Sequence, residues 1–107
     1  MSDVWGMLAQ SAPAATTLTD AYTTPALKRA TVEVIICNRS SATTVRLSYA
    51  IAGAADTAAQ YMLYDFSLGS NAFLTTARIT TKAADVIRVY SASGSVTFQV
   101  NGIEEDE

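Results

Sequence analysis

The chain has 107 residues, half of them hydrophobic but only 16% charged, with a net charge of −3 at pH 7. This length fits one compact domain that can bury a core, and the hydrophobic share excludes a disordered chain. The seven cationic residues are scattered, whereas nucleic-acid binding requires a basic patch. No apolar run approaches the roughly 20 residues that span a bilayer. We therefore expect neither a nucleic-acid partner nor a membrane partner.

Residues 1–29 form an extended N-terminal arm that leads into the first short strand or strands. They are rich in Ala and Thr and contain both prolines, Pro13 and Pro25, which favour extended backbone in the preceding residue. The segment TTLTDAYTT predicts a strand with Leu18 and Tyr22 facing inward, ended by Pro25. The opening MSDVWGMLAQ lacks the basic flank and apolar core of a signal peptide, so we expect production in a cytoplasm.

Residues 30–103 are predicted to form the core of the domain. In ATVEVIIC, three apolar residues at a spacing of two indicate a half-buried strand: Val32, Val34 and Ile36. A second alternating strand contains Val45 and Leu47. The polar stretch NRSSAT between these two strands is typical of a turn, so the pattern predicts a β-hairpin.

Later strands follow at intervals of 10 to 12 residues, in the segments YMLYDFSL, AFLTTARIT, VIRVYSA and VTFQVNGI. In YMLYDFSL we expect Met62, Tyr64 and Phe66 to face inward. Asp65 then faces outward, where it either has a raised pKa in an apolar cleft or, as we favour, pairs with Arg46 or Arg88 on a neighbouring strand. The chain ends in EEDE, predicted to be an acidic, solvated tail over residues 104–107.

Short strands separated by turn residues, with no long helix, predict an all-β fold. The expected architecture is a single antiparallel β-sandwich, jelly-roll or Ig-like, of about six to eight short strands. The short spacing excludes βαβ crossovers, which need a dozen or more connecting residues.

The residues that carry most enzymatic chemistry are missing from this sequence. It has no histidine and a single cysteine, Cys37, which rules out a Cys/His nucleophile pair, an intrachain disulfide and a structural zinc site. Cys37 ends an apolar run, so we expect a buried, inert thiol. We predict no catalytic residues, no metal and no cofactor, and hence no enzyme.

The distribution of apolar residues favours protein–protein contact. Ile35 and Tyr90 lie on strand faces opposite to those that build the core, and an apolar outer face is most simply covered by a partner subunit. In the arm, Trp5, Met7 and Leu8 are large enough to dock in a partner's groove. The alternatives are that Trp5 closes its own sandwich, and that the chain is a monomer whose loops cover these faces.

Several segments together resemble small virion proteins of tailed bacteriophages. In that group an Ala/Thr-rich lead-in precedes a strand ending in CNR, here Cys37, Asn38 and Arg39. A YD strand and a final strand that ends near GIE follow, and the resemblance spans roughly residues 8 to 104.

The resemblance implies a structural β-sandwich in a virion, made in the host cytoplasm. Head decoration (cement) proteins of this kind often sit as trimers on the capsid, so the expected partners are other copies of the chain and the major capsid protein. Tail, neck and fibre components use similar sandwiches and stay open as alternatives, as does a carbohydrate- or receptor-binding module. The tyrosines look too dispersed in the sequence for such a module, which would cluster exposed aromatic side chains.

Overall fold

A computed structural model describes residues 3–106 of the chain. Within this range the structure contains nine β-strands, two single 3₁₀ turns at Ile51–Gly53 and Ala58–Gln60, and no α-helix. The strands are β1 (Val4–Ser11), β2 (Thr19–Thr23), β3 (Lys28–Asn38), β4 (Thr43–Ala50), β5 (Tyr61–Leu68), β6 (Phe73–Thr75), β7 (Ile79–Thr81), β8 (Val86–Ser91) and β9 (Val96–Asp106).

The strands form two antiparallel sheets packed face to face, which confirms the predicted all-β sandwich. One sheet has the order β1-β9-β3-β6, with β7 also paired to β3, and the other has the order β2-β8-β4-β5. Strands that follow each other in the chain mostly lie in different sheets, and the exceptions are β4 with β5 and β6 with β7. If β6 and β7 are taken as halves of one interrupted strand, this wrapping is that of an eight-stranded jelly roll. In Ig-like sandwiches, by contrast, three consecutive pairs, A–B, D–E and F–G, lie within one sheet.

The core lies between the sheets and is built from alternate residues of the four central strands. As the sequence predicted, Val32, Val34 and Ile36 of β3 are fully buried. They pack with the inward residues of the other central strands, which are Val96, Phe98, Val100, Val45, Leu47, Ile87 and Val89. Tyr22 of β2 is also buried, as expected.

The predicted hairpin over β3 and β4 is wrong. β3 pairs with β9, β6 and β7 in one sheet, while β4 pairs with β5 and β8 in the other. The polar turn between them therefore crosses from sheet to sheet. Turn residues signal a reversal of the chain but do not decide whether the two strands pair or stack.

Asn38 holds this crossover in place. Its buried side-chain amide donates to the carbonyl oxygens of Ser41 at 2.8 Å and of Gly69 at 2.9 Å, and its Oδ1 accepts from the Ser95 hydroxyl at 3.0 Å. One side chain thus ties together three turns at one end of the sandwich. The Asn of the CNR stretch is thereby accounted for by the fold.

Over residues 104–106 the predicted acidic tail is part of β9, which continues to Asp106 instead of ending near Ile103, and Glu107 lies outside the described residues. Glu104 accepts a hydrogen bond from the Tyr22 hydroxyl at 2.5 Å, and Asp106 forms an ion pair with Lys28 at 2.6 Å. The basic start of β3 lies opposite the acidic end of β9, and this charge complementarity keeps the tail in the sheet.

The two long sides of the sandwich are unequal. On one side β1 of the first sheet contacts β2 of the second. On the other side, an opening of about 340 Å³ between β5 and the interrupted strand β6–β7 is lined mainly by apolar side chains, including Met62, Leu63, Leu74 and Ile79. The core is therefore closed along one side and accessible along the other.

Candidate interaction surfaces

The outer face of the five-stranded sheet, which we call the Trp5 face, brings together three of the predicted contact residues. Trp5 lies opposite Ile103 and Met7 opposite Asn101 across β1 and β9, and Ile35 of β3 lies opposite Gln99 of β9. Directly opposite residues share a face. Trp5, Met7 and Ile35 therefore all point away from the core.

Trp5 is the most prominent side chain on this face. Its exposed fraction is 75%, so it does not close its own sandwich, and that alternative is wrong. The arm segment that carries it is not free, because Val4–Ser11 pairs with β9 of the same chain. A hollow of about 520 Å³ beside Trp5 is lined by residues that include Glu33, Arg78 and Ile103.

A second apolar group lies at the opposite end of the same face. Phe73 of β6 pairs with Cys37, and its exposed fraction is 74%. Cys37 is half-buried on the outer face, not sealed in the core as the sequence suggested. Polar side chains, including Glu33 and Gln99, separate this end from Trp5. The Trp5 face thus has an exposed aromatic side chain at each end, with polar side chains, Met7 and Ile35 between them.

The remaining two predicted contact residues lie elsewhere. Leu8 sits at a register shift in β1 between Met7 and Ala9, and it packs against the core. Tyr90 of β8 lies on the outer face of the four-stranded sheet, opposite Arg46 of β4. We call that second surface the Arg46 face.

A β-bulge organises the Arg46 face. Leu63 pairs with Leu47 and Phe66 with Val45, so two residues of β5, Tyr64 and Asp65, lie opposite the single residue Arg46. In such a bulge the extra residue changes the direction of its neighbours. Asp65 has a φ of 49°, a left-handed conformation that Asp tolerates better than most residues. The expectation that Tyr64 faces inward is wrong for this reason. Phe66 pairs with the buried Val45 and Met62 lines the opening between the sheets, although each of the two is 42% exposed.

Arg46 is held on three sides. Its Nε donates to Asp65 Oδ1 at 2.6 Å, which confirms one of the two predicted partners of Asp65. Its Cζ lies 4.3 Å from the ring centre of Tyr64 and 4.4 Å from that of Tyr90. This is a cation–π stack of tyrosine, arginine and tyrosine. The hydrogen bond to Asp65 raises the pKa of the Arg46 guanidinium, outweighing the opposing effect of desolvation.

A third tyrosine completes the cluster. The ring of Tyr61 meets that of Tyr64 edge to face, with 5.0 Å between the ring centres, and its hydroxyl donates to Asp56 at 3.1 Å. Desolvation and this hydrogen bond raise the pKa of the Tyr61 hydroxyl. The apparent dispersion of the tyrosines in the sequence is therefore misleading. Only the strand register, with its bulge, shows that three of them converge.

The loop over residues 51–60 borders the cluster and is held by hydrogen bonds from Arg88 of β8 and from Gln60. Arg88 forms an ion pair with Asp20 at 3.0 Å, and its guanidinium donates to the carbonyl oxygens of Ala54 at 2.8 Å and Gly53 at 3.3 Å. Gln60 Nε2 donates to the Ala55 carbonyl oxygen at 2.8 Å. These contacts fix the loop against the sheet.

Across residues 3–106, no group of three or more Cys, Asp or Glu side chains is placed to hold a metal ion. The same part of the chain contains no helix with the length and apolar character to cross a membrane. Comparisons with protein-family models, with curated proteins and with solved structures found no significant match to this chain.

Proposed function

We propose that the chain is a non-enzymatic structural protein of a bacteriophage virion, namely a capsid decoration protein that stabilises the head through protein–protein contacts of its Trp5 face. The observation that carries this proposal is the pair of exposed aromatic side chains, Trp5 and Phe73, on one outer face of a small sandwich. The resemblance to small virion proteins supports the choice of a virion over other assemblies.

Apolar side chains that remain exposed to water gain free energy when a contact buries them. Burying a side chain of this size contributes about 1.5 to 3 kcal/mol, so two such groups in one contact provide a substantial share of a binding energy. Between the two aromatic side chains, Glu33 and Gln99 supply hydrogen-bonding groups on the same face. Aromatic side chains such as these are enriched in interfaces between folded proteins.

The strand pairing favours one way for the arm to contribute. Because Val4–Ser11 already adds to β9 within its own chain, Trp5 and Met7 are presented on a rigid edge strand. We therefore propose side-chain docking of the Trp5 face in preference to strand exchange with a neighbour. The favoured assembly is a trimer seated on the major capsid protein, with tail, neck or fibre positions as the alternatives.

Light scattering across a concentration series tests the self-association. We expect a trimer for the natural chain and a shift toward monomer, with association weakened about tenfold or more, for Trp5→Ser. The matched control is Leu27→Ser, since Leu27 is 79% exposed but lies in the turn between β2 and β3, outside the strands that form the Trp5 face. A monomer at every concentration, or equal effects of both substitutions, would contradict assembly through this face.

Cosedimentation with empty heads of the phage that encodes the chain tests the capsid partner. The natural chain and Leu27→Ser should pellet with the heads, and Trp5→Ser should remain in the supernatant. If all three remain in the supernatant while the natural chain still forms trimers, the capsid role is wrong and a tail, neck or fibre position takes its place.

A further inference from the structure

The Arg46 face contains a cleft that the proposed assembly role does not use. The cleft has a volume of about 540 Å³ and is lined by Arg46, Asp56, Thr57, Ala58, Tyr61 and Tyr64. This volume falls in the range of roughly 300 to 1,000 Å³ that is usual for small-molecule sites. One wall is the strand β5 and the other is the loop that Arg88 and Gln60 anchor.

Tyr64 is the exposed aromatic residue that lines this cleft. The Arg46 guanidinium covers one face of the ring, and Tyr61 fixes the ring's orientation by an edge-to-face contact. Tyr64 is nevertheless 60% exposed, so the rest of the ring is open to solvent. An exposed aromatic ring that is held rigid loses little conformational entropy when a flat ligand stacks on it.

The charges of the cleft exclude several classes of ligand. Arg46 is neutralised by Asp65, and Asp56 adds a further negative charge, so an anionic ligand has no unpaired cation to bind. The ring faces of Tyr64 and Tyr90 that Arg46 covers are closed to a cationic ligand. A nucleic acid is disfavoured for the same reason as an anion, since phosphates require a basic surface.

The groups that remain suit a neutral ligand with many hydroxyl groups. The Asp56 carboxylate accepts hydrogen bonds, and the Arg46 guanidinium donates them. The hydroxyl groups of Thr57 and Tyr61 can both donate and accept. The Tyr64 ring supplies an apolar platform for the C–H face of a sugar ring. We propose that this cleft is a binding site for a neutral saccharide, with Tyr64 as the stacking platform and Asp56, Thr57 and Arg46 as the polar contacts.

The site is independent of the Trp5 face, because the two lie on the outer faces of opposite sheets. A saccharide site on one face and an assembly contact on the other would let the protein, once fixed to a larger particle, hold a sugar-bearing surface. Saccharide binding by this cleft does not depend on the particle to which the protein is fixed.

The test is a titration of isotopically labelled protein with neutral trisaccharides, followed by backbone amide chemical shifts. The probes are maltotriose, cellotriose and mannotriose, with a sulfated disaccharide as the anionic comparison. We expect at least one neutral probe to shift the amides of residues 46, 56–58, 61 and 64. Tyr64→Ala should weaken that binding about tenfold.

The matched control is Phe66→Ala, an aromatic residue of the same strand whose side chain is 42% exposed on the opposite face of the sheet. It should leave the affinity unchanged, and thermal melts would establish that both variants fold. The saccharide proposal is overturned if no neutral probe shifts these amides, if only the sulfated probe does, or if both substitutions act equally. Altered native mass of Tyr64→Ala, without saccharide binding, would identify the cleft as a protein interface instead.

Discussion

Asp85 is a buried carboxylate on which three parts of the chain converge. It is 2% exposed, accepts a hydrogen bond from the Tyr49 hydroxyl, and also accepts from the backbone N–H groups of Ala52 and Lys82, each at 2.9 Å. Desolvation raises the pKa of Asp85, but the hydrogen bonds from Tyr49, Ala52 and Lys82 together outweigh it, so the net pKa lies below the ordinary value.

This pairing predicts the dependence of stability on pH. Because the folded-state pKa of Asp85 is lowered, its stabilisation is complete above the unfolded value of about 3.9 and is lost as the pH falls through the folded value. Desolvation and the bond to Asp85 raise the pKa of Tyr49, so that group's contribution is complete below about pH 10 and is lost as the pH rises.

Asp85→Asn should lower the free energy of unfolding at pH 7 by about 2 kcal/mol, because it replaces a charged acceptor of three hydrogen bonds. It should also flatten the loss of stability below pH 4. Urea unfolding at a series of pH values measures both effects. Asp3→Asn, at an exposed position, serves as the control and should change neither. Equal acid limbs for the natural chain and Asp85→Asn would show that other carboxylates dominate.

Among the strands, β9 makes an unusually close approach to β3. A Cβ atom on Gly102 would lie 2.0 Å from the Thr31 carbonyl oxygen and 2.8 Å from the Val32 Cα, both of which belong to backbone. These atoms have no freedom to move aside without breaking the pairing of the two strands. The long central pair of the five-stranded sheet therefore depends on the absence of a side chain at this position.

Gly102→Ala should consequently lower the free energy of unfolding by at least about 2 kcal/mol, or prevent folding at all. Gly94→Ala is the matched control, since the nearest atom to its Cβ would be 3.8 Å away. That change should stay within about 0.5 kcal/mol. Chemical denaturation of the two variants, with circular dichroism as the signal, decides the matter. Equal stability of the two would mean that the β3–β9 pair tolerates separation.

The same elements show what the sequence could and could not predict. Alternation identified the buried residues of β3, such as Val34, because their burial follows from local periodicity. The pairing of strands was not predictable, since β3 and β4 are joined by a turn of hairpin composition and yet belong to different sheets. The bulge at Asp65 was likewise invisible, because it arises from the register between two strands and not from either strand alone.

The same dependence on strand pairing decides which surface residues the sequence could indicate. The size of the Trp5 and Met7 side chains made them contact candidates in the sequence, but the strand β1 that holds them on the outer face was not predicted. The convergence of Tyr61, Tyr64 and Tyr90 on Arg46 depends on two strand pairings and a bulge. A site assembled across strands in this way leaves no contiguous motif in the sequence.

At the scale of the whole molecule, the sandwich is unevenly supported. β3, β9, β4 and β8 each pair with strands on both sides, whereas β5 pairs only with β4 and does so through two register shifts. The open side of the core lies along β5, β6 and β7. A strand such as β5, which is hydrogen-bonded to one neighbour only and at an interrupted register, can open locally with the loss of few buried contacts.

Native-state hydrogen exchange should therefore divide the molecule into two parts. We expect the slowest amides in the four central strands, at values near the global free energy of unfolding, and markedly faster exchange in β5 and in β6–β7. The closed side offers an internal comparison, because β2 is also an edge strand but is covered by β1. Its amides should exchange more slowly than those of β5. If β2 and β5 exchange at the same rate, edge position alone sets the local stability and the open side has no effect of its own. Exchange can also be compared with and without bound saccharide. If the amides of β5 exchange more slowly when saccharide is bound, the ligand stabilises the bulge and its tyrosine cluster. The reason is that a ligand bound only to the folded form adds protection where it bridges strand and loop.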